Sequence, residues 1–194
     1  MNILAVDATG ESVSVALDAG GKVFAAKKAG KRPHDELLLP VVESVLKRAK
    51  LSYDDLDAVA AAAGPGRFTG IRIGLSFAAI LGMKLKIPAL ALSRLEAAAE
   101  KSGEADVLAA LPGWKNEVYS RRYRNLAAVG DAAWTAPEEW PKVRAAAEAK
   151  GLAVALHDTD AADLLTVARR RLKAKKIPPF EPFYLKPAGY EKKR

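Results

Sequence analysis

Gly64 to Leu85 reads GPGRFTGIRIGLSFAAILGMKL, a tight turn followed by a long apolar helix. Gly64 and Gly66 suit positive φ, and Pro65 fixes the bend between them. Thr69 is placed to cap the helix that follows. From Gly70 to Met83 the only charge is Arg72, while Gly70, Gly74, Ala78 and Gly82 recur at every fourth position and so share one face. Interior glycines cost a helix roughly 1 kcal/mol each relative to alanine, a loss that close approach of a second helix would offset. The remaining faces hold Ile71, Ile73, Leu75, Phe77, Ile80, Leu81 and Met83, so the helix is apolar almost all round. One domain core rarely covers every side of a helix. The stretch is therefore either wholly buried in its own domain or lends part of its surface to a protein contact.

Upstream, Ile3–Ala8, Ser12–Leu17 and Lys22–Lys27 are three short strands separated by Thr9-Gly10-Glu11 and Asp18-Ala19-Gly20-Gly21, the pattern of an antiparallel meander. Asp7 ends the first strand and points towards the mouth of that sheet. From Pro33 a helix runs to about Lys50 with Leu38, Val41, Val42, Val45 and Ala49 on one side. Pro40 either kinks it or moves its start towards Leu39. Asp57–Ala62 is a buried strand leading into the glycine turn. Downstream, Ile87–Leu92 is a strand, and Ser93 caps a helix through about Lys101. Ser102-Gly103-Glu104 marks the expected boundary between a first domain, residues 1–102, and a smaller second one, residues 103–194. There, Asp106–Leu111 and Glu117–Arg124 pair as strands, Pro137-Glu138-Glu139 opens a helix to Lys150, and Leu152–Leu156 is a strand. Asp160 then caps a helix striped with Ala161, Leu164, Leu165, Ala168 and Leu172.

Several chemistries are excluded by residue type. The chain has no cysteine, which removes disulfides, thiolate catalysis and cysteine zinc sites. His34 and His157 stand too far apart in sequence to read as a local metal pair. The glycine turn lacks a phosphate loop's parts, because Pro65 deletes an amide donor and no GK[ST] follows. No apolar run reaches the roughly 18–20 uncharged residues of a membrane span, and the amino terminus does not read as a secretory signal, so a soluble cytoplasmic protein is expected. The net charge of +8 sits in the tail: Arg169 to Arg194 holds ten basic and two acidic residues, whereas Met1 to Ala168 holds 21 of each. Arg169, Arg170, Arg171, Lys173, Lys175 and Lys176 cluster at a helix end, where they form either a solvated cap or a contact for nucleic-acid phosphates.

The eleven residues Gly64 to Gly74 resemble the GPGSFTGLRIG segment of the TsaB (YeaZ) family, with Arg67 where that family usually has serine. Ile3-Leu4-Ala5-Val6-Asp7-Ala8-Thr9 and Ser14-Val15-Ala16-Leu17 resemble its ILAIDTS and SVAL, and the segment from His34 to Pro40 is similar to its HSExLLP. Glu117-Val118-Tyr119 is similar to the EVY that follows DAR in the family, although Leu111-Pro112-Gly113 replaces the DAR. Pro182 to Lys186 is similar to the family's P-x-Y-L-R ending. The resemblance implies an α/β chain of the actin-like, sugar-kinase and Hsp70 (ASKHA) fold, with two subdomains of which the second is reduced. It implies a scaffold or activating subunit for synthesis of threonylcarbamoyladenosine in tRNA. Such a subunit has no catalytic residues, metal or cofactor of its own, and no membrane association. It would dimerise with TsaD, the catalytic subunit, with the ATPase TsaE joining, or pair with a second copy of itself. The expected contact residues are His34, Leu38, Val41 and Val45 on one helix, and Gly70, Ile71, Arg72, Gly74, Leu75, Ala78, Leu81 and Gly82 on the other. Gly64, Pro65, Gly66, Phe68 and Thr69 form the motif turn. Arg169, Arg170, Arg171 and Lys173 are the expected tRNA contacts. The alternative is a small enzyme of the same fold, a phosphotransferase or metallopeptidase, with Asp7 as a metal-linked acid.

Overall fold

The computed structural model describes residues 1–30 and 32–185 and divides the chain into two compact units. The first consists of Met1–Ser93 and Asp160–Phe183, the second of Arg94–Thr159 with Tyr184 and Leu185. The single cut expected after residue 102 is replaced by a chain that leaves the first unit at Ser93 and returns at Asp160. Packing explains the difference. The helix after Ser93 buries Leu95, Ala98 and Ala99 on the second unit's sheet, and the helix after Asp160 buries Leu164, Leu165 and Val167 on the first unit's sheet. Ser102-Gly103-Glu104 is only the turn between a helix and a strand, with Gly103 at φ +71°.

The first unit holds β1 (Asn2–Asp7), β2 (Ser12–Ala19), β3 (Lys22–Ala29), α1 (His34–Ala49), β4 (Ala58–Gly64), α2 (Phe68–Leu85) and β5 (Ala89–Ser93). Its sheet has the order β3-β2-β1-β4-β5. β1 and β2 pair antiparallel from Asn2↔Ala19 to Asp7↔Ser14, whereas β1–β4 and β4–β5 pair in parallel, from Ile3↔Ala58 and Val59↔Ala89. β4 is AVAAAAG and buried along its whole length, as a strand covered on both faces must be. α1 lies on β2 and β3, and α2 lies on β4 and β5. α1 starts at His34 and keeps Pro40 inside it.

The second unit holds α3 (Arg94–Ser102), β6 (Asp106–Pro112), β7 (Val118–Arg124), β8 (Ala127–Thr135), α4 (Trp140–Glu148) and β9 (Ala153–Leu156), with its sheet ordered β8-β7-β6-β9. β8 is absent from the sequence reading. Its AAVGDAAWT is mostly exposed and lacks the apolar alternation that marks a half-buried strand. Asp106 accepts from Arg122 at 2.8 and 2.7 Å and from Arg124 at 2.9 Å across β6 and β7, which holds its carboxyl well below the usual range. α5 (Ala161–Lys173) returns to the first unit and packs on β1, β2 and β4. As expected, Asp160 caps it, accepting from the Ala162 amide at 2.9 Å.

Two other expected caps are not formed. α2 begins at Phe68 behind Arg67, with no side-chain cap, so Thr69 sits exposed within the first turn. The Ser93 hydroxyl is buried and finds no hydrogen-bond partner among the described residues. α2 is also the one described helix that is long and apolar enough, by length and composition, to cross a membrane, Arg72 and Lys84 notwithstanding. Its inner side is nevertheless seated on the sheet.

Candidate functional site

At the end of β1 the Asp7 carboxylate turns back on its own chain. Oδ1 accepts from the Thr9 amide at 2.8 Å and from the Thr9 hydroxyl at 2.6 Å. Asp7 is buried, and the glycine turn closes against it. The Arg67 amide donates to the Thr9 carbonyl at 2.8 Å, and a Cβ on Gly66 would lie 2.7 Å from that of Thr9. A Cβ on Gly70 would land on the Ala8 carbonyl oxygen. From the other side, Phe183 donates its amide to the Ala63 carbonyl at 2.7 Å. The Phe183 carbonyl oxygen would then be 2.5 Å from a Cβ on Gly64, whose φ is +117°. The Gly64–Pro65 bond is cis.

The three glycines of the turn thus mark where backbone meets backbone. A cradle for phosphate would need the space that Thr9 and Phe183 fill. His34 joins the same knot: its Nδ1 donates to the Ala8 carbonyl at 2.9 Å, and because a carbonyl only accepts, the hydrogen sits on Nδ1. Among the described residues no group of three or more His, Asp or Glu side chains is placed to hold a metal ion. Pro182 and Phe183, part of the family-like ending, are the segment that docks here; Lys186 of that ending lies outside the described residues.

The small face of α2 meets its own sheet rather than a partner helix. A Cβ on Gly74 would stand 3.8 Å from the Ala61 Cβ, and one on Gly82 would be 2.9 Å from the Ala89 Cβ. A strand made of alanines admits a helix backbone as closely as another helix does, which is why spacing alone pointed to the wrong neighbour. Of the expected contact residues, Leu38, Val41, Val45, Gly70, Ile71, Gly74, Leu75, Ala78, Leu81 and Gly82 are all buried in the first unit. His34 is half-buried, and Arg72 is exposed with its guanidinium carbon 3.9 Å from the centre of the Phe68 ring. The side of α2 turned outward carries residues that the site reading left out. Ile80 and Met83 are 67% and 80% exposed, Ile73 and Phe77 are half-buried beside them, and Leu39 of α1 is 51% exposed.

The basic end of α5 divides in two. Arg169 bonds through Nε to Asp18, a buried carboxylate of β2 that also accepts from the Gly21 amide at 2.7 Å. Burial pushes the Asp18 carboxyl up, but these two partners outweigh it and hold it below its ordinary value of 3.8. Arg169 is therefore an anchor. Arg170 and Arg171 are half-buried, and Lys173 is exposed. In the second unit, Arg94 is 3% exposed and reaches the exposed carboxylate of Asp158 at 2.8 Å, an ion pair that no local pattern signals.

Residues 28–144 match the family model described as TsaD, tRNA N6-adenosine threonylcarbamoyltransferase. The chain is 38% identical over 128 residues to the Escherichia coli tRNA threonylcarbamoyladenosine biosynthesis protein TsaB, covering 64% of this chain and 55% of that one. It is 43% identical over 75 residues to the tRNA N6-adenosine threonylcarbamoyltransferase of Erythrobacter litoralis, 39% of this chain and 22% of that one. The chain spans about half the length of the TsaB relative. The solved structure of YeaZ from Pseudomonas aeruginosa superposes with a TM-score of 0.76 at 28% identity, over 95% of this chain and 99% of that one. Another solved chain from that organism, described as similar to peptidase YEAZ, matches equally.

Proposed function

We propose, from the premise that this chain belongs to the family described as TsaD, tRNA N6-adenosine threonylcarbamoyltransferase, and to its TsaB (YeaZ) members, that it is a non-catalytic platform for threonylcarbamoyladenosine synthesis in tRNA. Its partner is a catalytic TsaD chain, with the ATPase TsaE joining the pair in the cytoplasm, and tRNA is met through that assembly. The outward side of α2 carries this reading. Ile73, Phe77, Ile80 and Met83 form an apolar stripe on a helix whose other side is already full, and an exposed stripe of this kind marks a contact surface.

The occupant follows from the family match. Residues 28–144 include α1 and α2, so a TsaD chain carries the corresponding helices and can meet this chain in a nearly two-fold arrangement. A second copy of this chain would offer the same face in the absence of TsaD. The ASKHA-type fold alone is compatible with an enzyme, and one solved neighbour's description mentions a peptidase. Asp7, however, is committed to Thr9, and the glycine turn is filled by the chain itself.

The test is copurification. The chain should coelute with TsaD from a cell extract, and Ile80→Asp with Met83→Asp should lower that affinity at least 100-fold while leaving the melting temperature within about 2 °C, because both side chains face outward. Unchanged coelution of the double variant would move the contact elsewhere. Peptide or ATP turnover that follows the purified chain through several columns and vanishes in Asp7→Ala would replace the platform by an enzyme.

A further inference from the structure

Three helices of the first unit end on one rim of its sheet, and they end in the same way. α1 and α2 lead back to the edge where β4 and β5 begin, and α5 reaches that edge at Asp18, beside the Ala19↔Asn2 pair that opens the sheet. Each helix is closed by a hydrogen bond spanning five residues: Leu51 amide to Leu46 carbonyl at 3.1 Å, Ile87 to Gly82 at 3.1 Å, and Lys176 to Arg171 at 3.0 Å. Such a closure needs a left-handed residue one place earlier, and glycine is its usual occupant. Here the position is held by Lys50 (φ 58°), Lys86 (φ 57°) and Lys175 (φ 54°). All three are exposed.

Further cations flank each cap: Lys47 and Arg48 on α1, Lys84 on α2, Arg170, Arg171 and Lys173 on α5, and Lys22 in the adjoining hairpin. Segments 18–22, 47–57, 84–89 and 169–176 together contain twelve basic and four acidic residues, and the rest of the chain is neutral at nineteen of each. The helix dipole explains a preference for cations in a last turn. It does not explain lysine, three times over, at a backbone position that glycine fills with less strain.

We propose that this rim binds the phosphate backbone of RNA without reading its sequence. The inference deepens the platform reading, which supplies tRNA as the polyanion at hand. An anionic membrane is the weaker fit, because the exposed apolar residues nearby, Val23, Met83 and Ile177, stand on separate elements and form no single amphipathic face. Cations fixed on three separate caps suit a string of phosphates.

The experiment uses the full chain without any partner. Binding of an unmodified tRNA transcript is measured against salt for the parent and for the triple variant Lys50→Gly, Lys86→Gly, Lys175→Gly, and vesicles of phosphatidylserine and phosphatidylcholine are tested at the same salt. The parent should bind tRNA, and the triple variant should bind about tenfold more weakly at low salt, with the slope of log affinity against log salt reduced by about two. The variant should melt no lower than the parent. Unchanged affinity and slope in the variant, or a parent that binds vesicles but not tRNA, overturns the proposal; so does a lower melting temperature, which would show the lysines to be there for stability. Coelution of the triple variant with TsaD is scored separately. Its failure counts against the platform reading and leaves the RNA result standing.

Discussion

Asp18 keeps only 7% of its side chain exposed, and it stays charged there because Arg169 and the Gly21 amide face it. Replacing Arg169 by Gln leaves that carboxylate buried without its cation, which should lower stability by about 2 kcal/mol. Lys173→Gln, at an exposed position, should stay within about 0.5 kcal/mol. Urea unfolding at pH 7 measures both. The pair also sets a pH dependence. A carboxyl held below 3.8 in the folded chain contributes stability that is complete above that value and disappears as pH falls through the folded one, so the parent should progressively lose the advantage over Arg169→Gln as pH falls below 3.8. Equal acid sensitivity in the two chains would show the ion pair to be unimportant. In the sequence Arg169 is one of three consecutive arginines, and nothing local distinguishes it. Its partner lies 151 residues away, and only the packing of α5 on β2 selects it.

α2 was legible as a helix, and as an unusually apolar one, from its residues alone. Which of its sides faced inward was not, because the alanines that let a sheet approach it belong to β4, whose composition reads as an ordinary buried strand. The four small residues therefore differ in what they tolerate. Gly70→Ala places a methyl on the Ala8 carbonyl oxygen and should cost about 2 kcal/mol, whereas Gly74→Ala gains ordinary contact with Ala61 and removes an interior glycine, which should add about 0.5–1 kcal/mol. Thermal melts of the two variants should move in opposite directions. A fall for both would mean that the helix cannot give at all. The turn before it was likewise recognisable as a motif, but its filling by Thr9 and Phe183 depends on contacts across most of the chain. β8 escaped notice because alanine and glycine on an exposed edge carry no pattern to read.

At the level of the whole chain, α5 decides whether the first unit exists. Leu164, Leu165 and Val167 are buried on the sheet formed by the first 93 residues, each contributing about 1.5–3 kcal/mol, and their sum is comparable with the 5–15 kcal/mol that stabilises a typical domain. A chain cut after Thr159 should therefore show no cooperative unfolding of that sheet by circular dichroism, and a separate peptide spanning residues 160–185 should restore it. A sharp transition in the cut chain alone would show the sheet to be self-sufficient. The return of α5 to the first unit was not legible, because its stripe fits any sheet and the sequence does not name which. That return also sets a timetable for the chain as it leaves the ribosome. The strands of the first unit emerge early but wait with one face uncovered while residues 94–159 are translated, and they are sealed only when α5 follows. The unit whose strands are encoded first is thus closed only after residues 94–159 have been made, and the nascent chain is most exposed to chaperones and proteases in that interval.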